Sequence, residues 1–142
     1  MNASIQKNKY EGLSLLKVHL IHSHIAIKVA IEDDLQTCFV VRSIRHSVDH
    51  GFCHFLVHFD LVGEVEPANL TLNAHFGLVY QAPKGFAWES LPKHLVLSHA
   101  IPYVREYFSS TTSRMPCPTY ILPPINTIEL LKEYEAAVQR KV

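Results

Sequence analysis

Between Ile21 and Ile31 the odd positions read Ile21, Ser23, Ile25, Ile27, Val29 and Ile31, while the even ones read His22, His24, Ala26, Lys28 and Ala30. A two-residue period places apolar groups on one side of an extended chain, so it predicts a first strand with its odd side inward. After the polar turn Glu32-Asp33-Asp34, residues 37 to 46 are rich in β-branched and aromatic side chains and predict a second strand. Asp49-His50-Gly51 interrupts it, with Gly51 free to take a positive φ. The third strand alternates most cleanly, with Cys53, Phe55, Val57, Phe59, Leu61 and Val65 on one side and Phe52, His54, Leu56, His58 and Asp60 on the other. A turn at Glu66-Pro67-Ala68-Asn69 leads to a fourth strand, where Leu70, Leu72, Ala74, Phe76, Leu78 and Tyr80 share a face opposite Thr71, Asn73, His75 and Gly77. The short connections imply that neighbouring strands are antiparallel.

From Gln81 to Lys93 the alternation dissolves into a loop that carries Pro83, Gly85 and Pro92 together with two large aromatics, Phe86 and Trp88. Val96, Ala100, Tyr103, Val104, Tyr107, Phe108 and Thr111 then recur at three- and four-residue steps and predict a helix over about 93–114. Pro102 must kink this helix or sit in the first turn of its main part, and Met115-Pro116-Cys117-Pro118 ends it. Asn126 with Glu129 fits a capping box for a last helix over about 127–140, whose buried stripe is Ile128, Leu131, Tyr134 or Glu135, and Val138. Asn126 is thereby read as a helix start and not as a ligand contact. The fold class is α+β: a four-stranded antiparallel sheet over about 15–82 followed by two helices, in one domain spanning 1–142.

Composition narrows the function. The chain has 142 residues, 48% apolar and 18% charged, the balance of a folded domain. A formal charge of zero with ten neutral histidines carries neither a nucleic-acid footprint nor a polybasic membrane surface. No apolar run approaches the ~20 residues of a membrane span. The polar start Met1-Asn2-Ala3-Ser4 is unlike a secretory leader, so a cytoplasmic protein without membrane insertion is expected. Cys38, Cys53 and Cys117 are odd in number and widely spaced, which fits reduced thiols and neither a disulfide framework nor a CxxC site. There is no phosphate loop, GxSxG elbow or paired-carboxylate signature, so neither an enzyme nor a cofactor is expected.

His46, His50, His54 and His58 fall at four-residue intervals, which on one helix would suggest a metal, but Asp49, Gly51 and the strand alternation rule that helix out. No metal site is assigned. His54 and His58 can share a strand face with His22 or His24, so a histidine-lined ligand- or metal-binding module stands as an alternative.

Ile101-Pro102-Tyr103-Val104-Arg105-Glu106, running through Ser113-Arg114 to Leu122-Pro123-Pro124-Ile125-Asn126, joins the two helices through a proline-rich hinge. This ordered set resembles the SecB family of export chaperones. In that family a P-Y-A/V-R-E helix, a serine-arginine helix end and an L-x-P-V/I-N segment before a final helix follow a four-stranded sheet. Gly77 and Tyr80 fit its glycine-x-x-aromatic pattern in the last strand, and the resemblance covers roughly residues 15 to 135. It implies an ATP-independent holdase for unfolded or non-native polypeptide. It also implies a homotetramer built as a dimer of dimers, with the first strand (Ile25, Ile27) and the long helix (Tyr103, Tyr107, Phe108) at the interfaces. The client groove would lie between sheet, helices and the connecting loop Met115 to Ile125, lined by Tyr120, Leu122 and Ile125. Phe86, Trp88, Phe76 and Tyr80 are further groove candidates, although Phe76 and Tyr80 also read as core on an all-apolar strand face.

The element count points the same way. One long and one short helix cannot cover both faces of a four-stranded sheet, so self-association is expected to cover part of the remainder. Apolar surface left over can hold an extended, unfolded chain. General export chaperones of this family present carboxylates on the outer sheet face to the motor ATPase of secretion. Here the first strand offers His22, His24 and Lys28, the chain finishes with Arg140-Lys141-Val142, and the total charge is zero, so that ATPase is not an expected partner. Service to export and service to one dedicated client, such as the antitoxin of a toxin-antitoxin-chaperone system, both remain open, as does a purely structural oligomerisation domain.

Overall fold

The computed structural model describes residues 12–28, 37–63 and 70–140. Strands β1 (Ser14–Ile27), β2 (Thr37–Asp49), β3 (Phe52–Gly63) and β4 (Leu70–Gln81) are followed by a 3-10 turn (Trp88–Ser90) and the helices α1 (Lys93–Thr112) and α2 (Thr127–Arg140). The alternation in β3 and β4 is realised residue for residue: Cys53, Phe55, Val57, Phe59 and Leu61, with Leu70, Leu72, Ala74, Phe76, Leu78 and Tyr80, are all buried. Both helices pack on this inner face, α1 against β4 and β1, α2 against β2. The outer face is left to His75, Val79, His58 and Leu56, which stay partly accessible, with Gly77 covered between them.

β2 and β3 are joined by His50 and Gly51, both at positive φ (48° and 83°), between the paired residues Asp49 and Phe52. That is the geometry whose twist matches a two-residue antiparallel hairpin.

Two expectations about the sheet are corrected. The sheet order is β1-β4-β3-β2, so β1 and β2 are the two edges and do not pair, although they follow one another in sequence. Alternation specifies which side of a strand is buried, not which strand lies beside it. In β1 the odd face is not continuous: the register against β4 slips between Leu20 and His22, leaving Ile21 as a bulge. Ser23, Ile25 and Ile27 face inward with Ala74, Leu72 and Leu70, whereas Ile21 is 54% exposed and leans over Gly77 on the outer side. Val29, Ile31 and Val65 lie outside the described residues.

Pro102 sits well inside α1 with its ring on the exposed side. Asn126 caps α2, its Oδ1 accepting from the backbone N–H groups of Ile128 (3.0 Å) and Glu129 (3.2 Å). The buried side of α2 is rotated from the expected stripe: Leu130 is buried, Leu131 and Tyr134 pack on the core, and Ile128 and Val138 remain half exposed. The helix lies against the edge strand β2 and against α1, so its covered side is the one turned toward them, and Tyr134 accepts the Ile44 N–H of that strand at 3.4 Å.

Candidate binding groove

The hinge after α1 is held by side chains that the periodicity does not reveal. Thr112 is fully buried; its hydroxyl donates to the Phe108 carbonyl and accepts the Tyr120 N–H, both at 2.8 Å. Arg105 donates from Nε to the Leu122 carbonyl (3.2 Å) and from Nη2 to the Pro123 carbonyl (3.5 Å). These bonds clamp residues 120–123 onto α1 and drive the Leu122 side chain into the core, where it is 2% exposed.

Tyr120 and Ile125 stay half-buried at the surface of the hinge. They line a groove of about 350 Å³ together with Phe39 of β2 and Leu130 of α2, and Thr37, Asn126, Glu129 and Glu133 give it a polar rim. Phe39 stacks on Phe59 (5.4 Å between ring centres) and meets the edge of Phe108 (5.9 Å), while Tyr120 lies 6.4 Å from Phe108. The apolar wall of the groove is therefore continuous with the core and rigidly backed. Burial raises the Tyr120 phenol above its ordinary range, opposed by a hydrogen bond with Thr37. Phe39 escaped the sequence reading, although its place on the inner side of an edge strand, in step with Val41, was a usable signal.

The other groove candidates lie elsewhere. Phe86 and Trp88 contact each other at 4.8 Å and border a separate hollow of about 610 Å³ beside Val48, His50 and Lys84. That hollow sits at the Asp49 end of β2, whereas Tyr120 and Ile125 sit at its Thr37 end; thirteen residues of strand, at about 3.3 Å each, keep them apart. Trp88 is moreover buried at 7% exposure. Phe76 and Tyr80 are core: Phe76 meets the edge of Tyr107, and Tyr80 packs on Phe55 with its hydroxyl 2.8 Å from Nδ1 of His99. Burial pushes the Tyr80 phenol up, the Cys53 thiol up to about 11 with help from the Glu89 charge, and the His99 imidazole down. Leu122, Phe76 and Tyr80 thus stabilise the fold and do not line an open groove, because the inner sheet face and the clamp consume their surface, while Trp88 shows only an edge to the separate hollow.

Among the interface candidates, Phe108 is corrected to core, with no surface left for a partner copy. Ile25 and Ile27 are half-buried against the core, and Tyr107 is held by a 2.6 Å bond from its hydroxyl to Ser23 Oγ. Tyr103 is 48% exposed, and along β1 so are Leu15, Leu16 and Leu20, at 37%, 51% and 39%.

The four-residue histidine series is dispersed, His46 onto β2, His50 into the turn, His54 and His58 onto β3. Across the outer face His58 stacks on His75 at 4.0 Å and His75 meets His22 at 5.6 Å. Among the described residues no group of three or more His, Cys, Asp or Glu side chains is arranged to hold a metal ion, and no helix is long and apolar enough to cross a membrane.

With its antiparallel sheet in the order β1-β4-β3-β2, covered on one side by two helices that a clamped proline hinge connects, the chain shares the fold of a SecB-like chaperone of known structure. Nine chains among solved structures match it. One is the SecB-like chaperone of Mycobacterium tuberculosis, solved in complex with a ChAD peptide from the HigA1 antitoxin; the TM-score is 0.68 at 16% sequence identity, covering 82% of this chain and 91% of that one. No family model and no curated protein matches the sequence.

Proposed function

We propose that this protein is a chaperone that holds non-native polypeptide without nucleotide or catalysis, and that an extended client segment lies in the groove between the start of β2, the hinge and α2. The observation that carries the reading is the open apolar groove of Phe39, Tyr120, Ile125 and Leu130 beside an edge strand, in a fold shared with a chaperone solved with an antitoxin peptide. An edge strand offers backbone groups for an added strand, and the rings beside it accept side chains of many shapes, so recognition is tolerant of sequence. Such a protein works by mass action, through affinity for the unfolded state of its client.

A dedicated client, such as an antitoxin, is preferred to general export. The zero net charge and an outer sheet face rich in histidines, whose carboxylates Asp60 and Asp49 are already engaged, support that preference, and argue against docking to a secretion ATPase through a basic segment. We assign the protein to the cytoplasm on the same reading. It acts as a homotetramer, a dimer of dimers, in which the accessible Leu15, Leu16 and Leu20 of edge strand β1 and Tyr103 of α1 meet partner copies.

Calorimetric titration with a reduced, permanently unfolded model protein tests the activity. Saturable binding is expected, weakened by the pair Tyr120→Ser and Ile125→Ser; absence of binding by the wild-type protein would sink the reading. Sedimentation equilibrium tests the assembly independently, with a tetramer expected and a monomer refuting it.

A further inference from the structure

The outer face of the sheet carries chemistry that the groove does not use. Six of the ten histidines lie on it, His19, His22 and His24 on β1, His54 and His58 on β3 and His75 on β4. Its carboxylates among the described residues are already engaged: Asp60 accepts from Arg42 Nε at 2.7 Å and contacts His58 Nε2 at 2.8 Å, and Asp49, at the hairpin end, contacts His50. Arg45 on β2 is exposed, with no carboxylate partner among the described residues.

In the middle of this face is a cavity of about 350 Å³. Gly77 forms part of its floor, and Ile21 and His19 lean over that glycine so closely that a Cβ there would lie 2.7 Å from Ile21 Cδ1 and 3.0 Å from the His19 ring. Leu56 and Val79 supply aliphatic wall, and Arg45 and His54 stand on the rim. The site is apolar at its centre and ringed by a guanidinium and imidazoles, groups that donate hydrogen bonds to carboxylates.

We propose that this face docks an acidic segment of a protein partner, with an aliphatic side chain entering the cavity between Ile21 and Leu56 and flanking carboxylates meeting Arg45, His54 and His19. Charge complementarity selects this occupant: a basic segment would meet the Arg45 guanidinium and no free carboxylate among the described residues. A nucleic acid is disfavoured because the exposed wall is aliphatic where stacked bases need Phe, Tyr or Trp, and because a chain of zero net charge gains little from counterion release. The face lies across the sheet from the hinge groove and does not depend on that groove's role.

Fluorescence anisotropy with a labelled peptide of alternating Glu and Leu tests this, beside a Lys-Leu control peptide. Saturable binding of the Glu-Leu peptide is expected, weakened about tenfold or more by Arg45→Glu and by raising salt from about 50 to about 500 mM. It should persist in the Tyr120→Ser, Ile125→Ser variant, which separates it from client capture. His54→Glu is a second exposed substitution, and melting curves verify that both variants are folded. Equal binding of the Lys-Leu peptide, insensitivity to both charge reversals, loss in the hinge variant instead, or tighter binding of single-stranded RNA overturns the proposal. Concentration-dependent self-association that Arg45→Glu abolishes also overturns it, by giving the face to a second copy.

Discussion

Arg105 Nε donates to the Leu122 carbonyl at 3.2 Å, so the arginine in the middle of α1 and the leucine that opens the proline hinge form one contact across seventeen residues of chain. The two halves of the motif that stood apart in the sequence are a clamp and the strap it holds. Replacing Arg105 by Ala releases two carbonyls that prolines cannot help to order. A loss of about 1–2 kcal/mol in urea unfolding is expected, the low end of charged hydrogen bonds because the guanidinium is partly exposed. Client affinity should fall with it, since the hinge carries Tyr120 and Ile125. Unchanged affinity would separate the hinge from binding.

Thr112 is the second anchor. Thr112→Val keeps the shape but leaves the Tyr120 N–H without its 2.8 Å acceptor, and a destabilisation of about 1–3 kcal/mol is expected from that unsatisfied donor. Faster amide exchange at Tyr120 than in the parent would locate the effect; an exchange rate equal to the parent's would refute it.

Leu122 and the pair Tyr120 and Ile125 should respond in opposite ways. Leu122 is 2% exposed, so Leu122→Ser should cost about 2–5 kcal/mol of stability by opening a cavity and burying a hydroxyl. The pair Tyr120→Ser and Ile125→Ser, half-buried at the groove, should lower client affinity about tenfold or more with a smaller stability loss. Thermal melts beside client titrations distinguish the two, and a reversed ranking would show that the groove has been drawn in the wrong place.

Stability should fall on mild acidification. His99 is held below its ordinary pKa by burial, and its neutral form leaves Nδ1 free to accept from the Tyr80 hydroxyl at 2.8 Å. His75 is lowered by burial and then by its neighbours His58, His22 and Arg45, with Asp60 acting in the opposite sense. A histidine lowered in the folded state takes its proton more readily when unfolded. The penalty is therefore absent above the unfolded value of about 6.5 and grows as pH falls from there toward the folded pKa. Melting temperature should drop from pH 7.5 to pH 5.5, less steeply in His99→Asn or His75→Asn. Slopes unchanged in both variants would assign the loss to other groups.

The faces of β3 and β4 were legible because a strand buried on one side must alternate, and eleven core side chains from Cys53 to Tyr80 obey that period. The Asn126 cap was legible for a local reason as well, since its partners are two and three residues away. Ile21 was misassigned because a bulge adds one residue without altering composition, and every odd-even reading across it then inverts. The site was readable only in part: Tyr120 and Ile125 remain in the groove, but burial removed Leu122, Phe76, Tyr80 and Trp88, and Phe86 went to another hollow.

Local order in this protein, meaning which segments extend, which coil and which side of each is apolar, follows from spacing along the chain, because those choices depend on neighbours a few residues away. The order β1-β4-β3-β2, the rotation of α2 and the division of aromatics between core and groove came only with the folded chain. They depend on contacts between residues far apart in sequence, such as Tyr107 with Ser23 and Arg105 with Leu122, and hydrophobicity alone does not say which of several apolar residues will find cover.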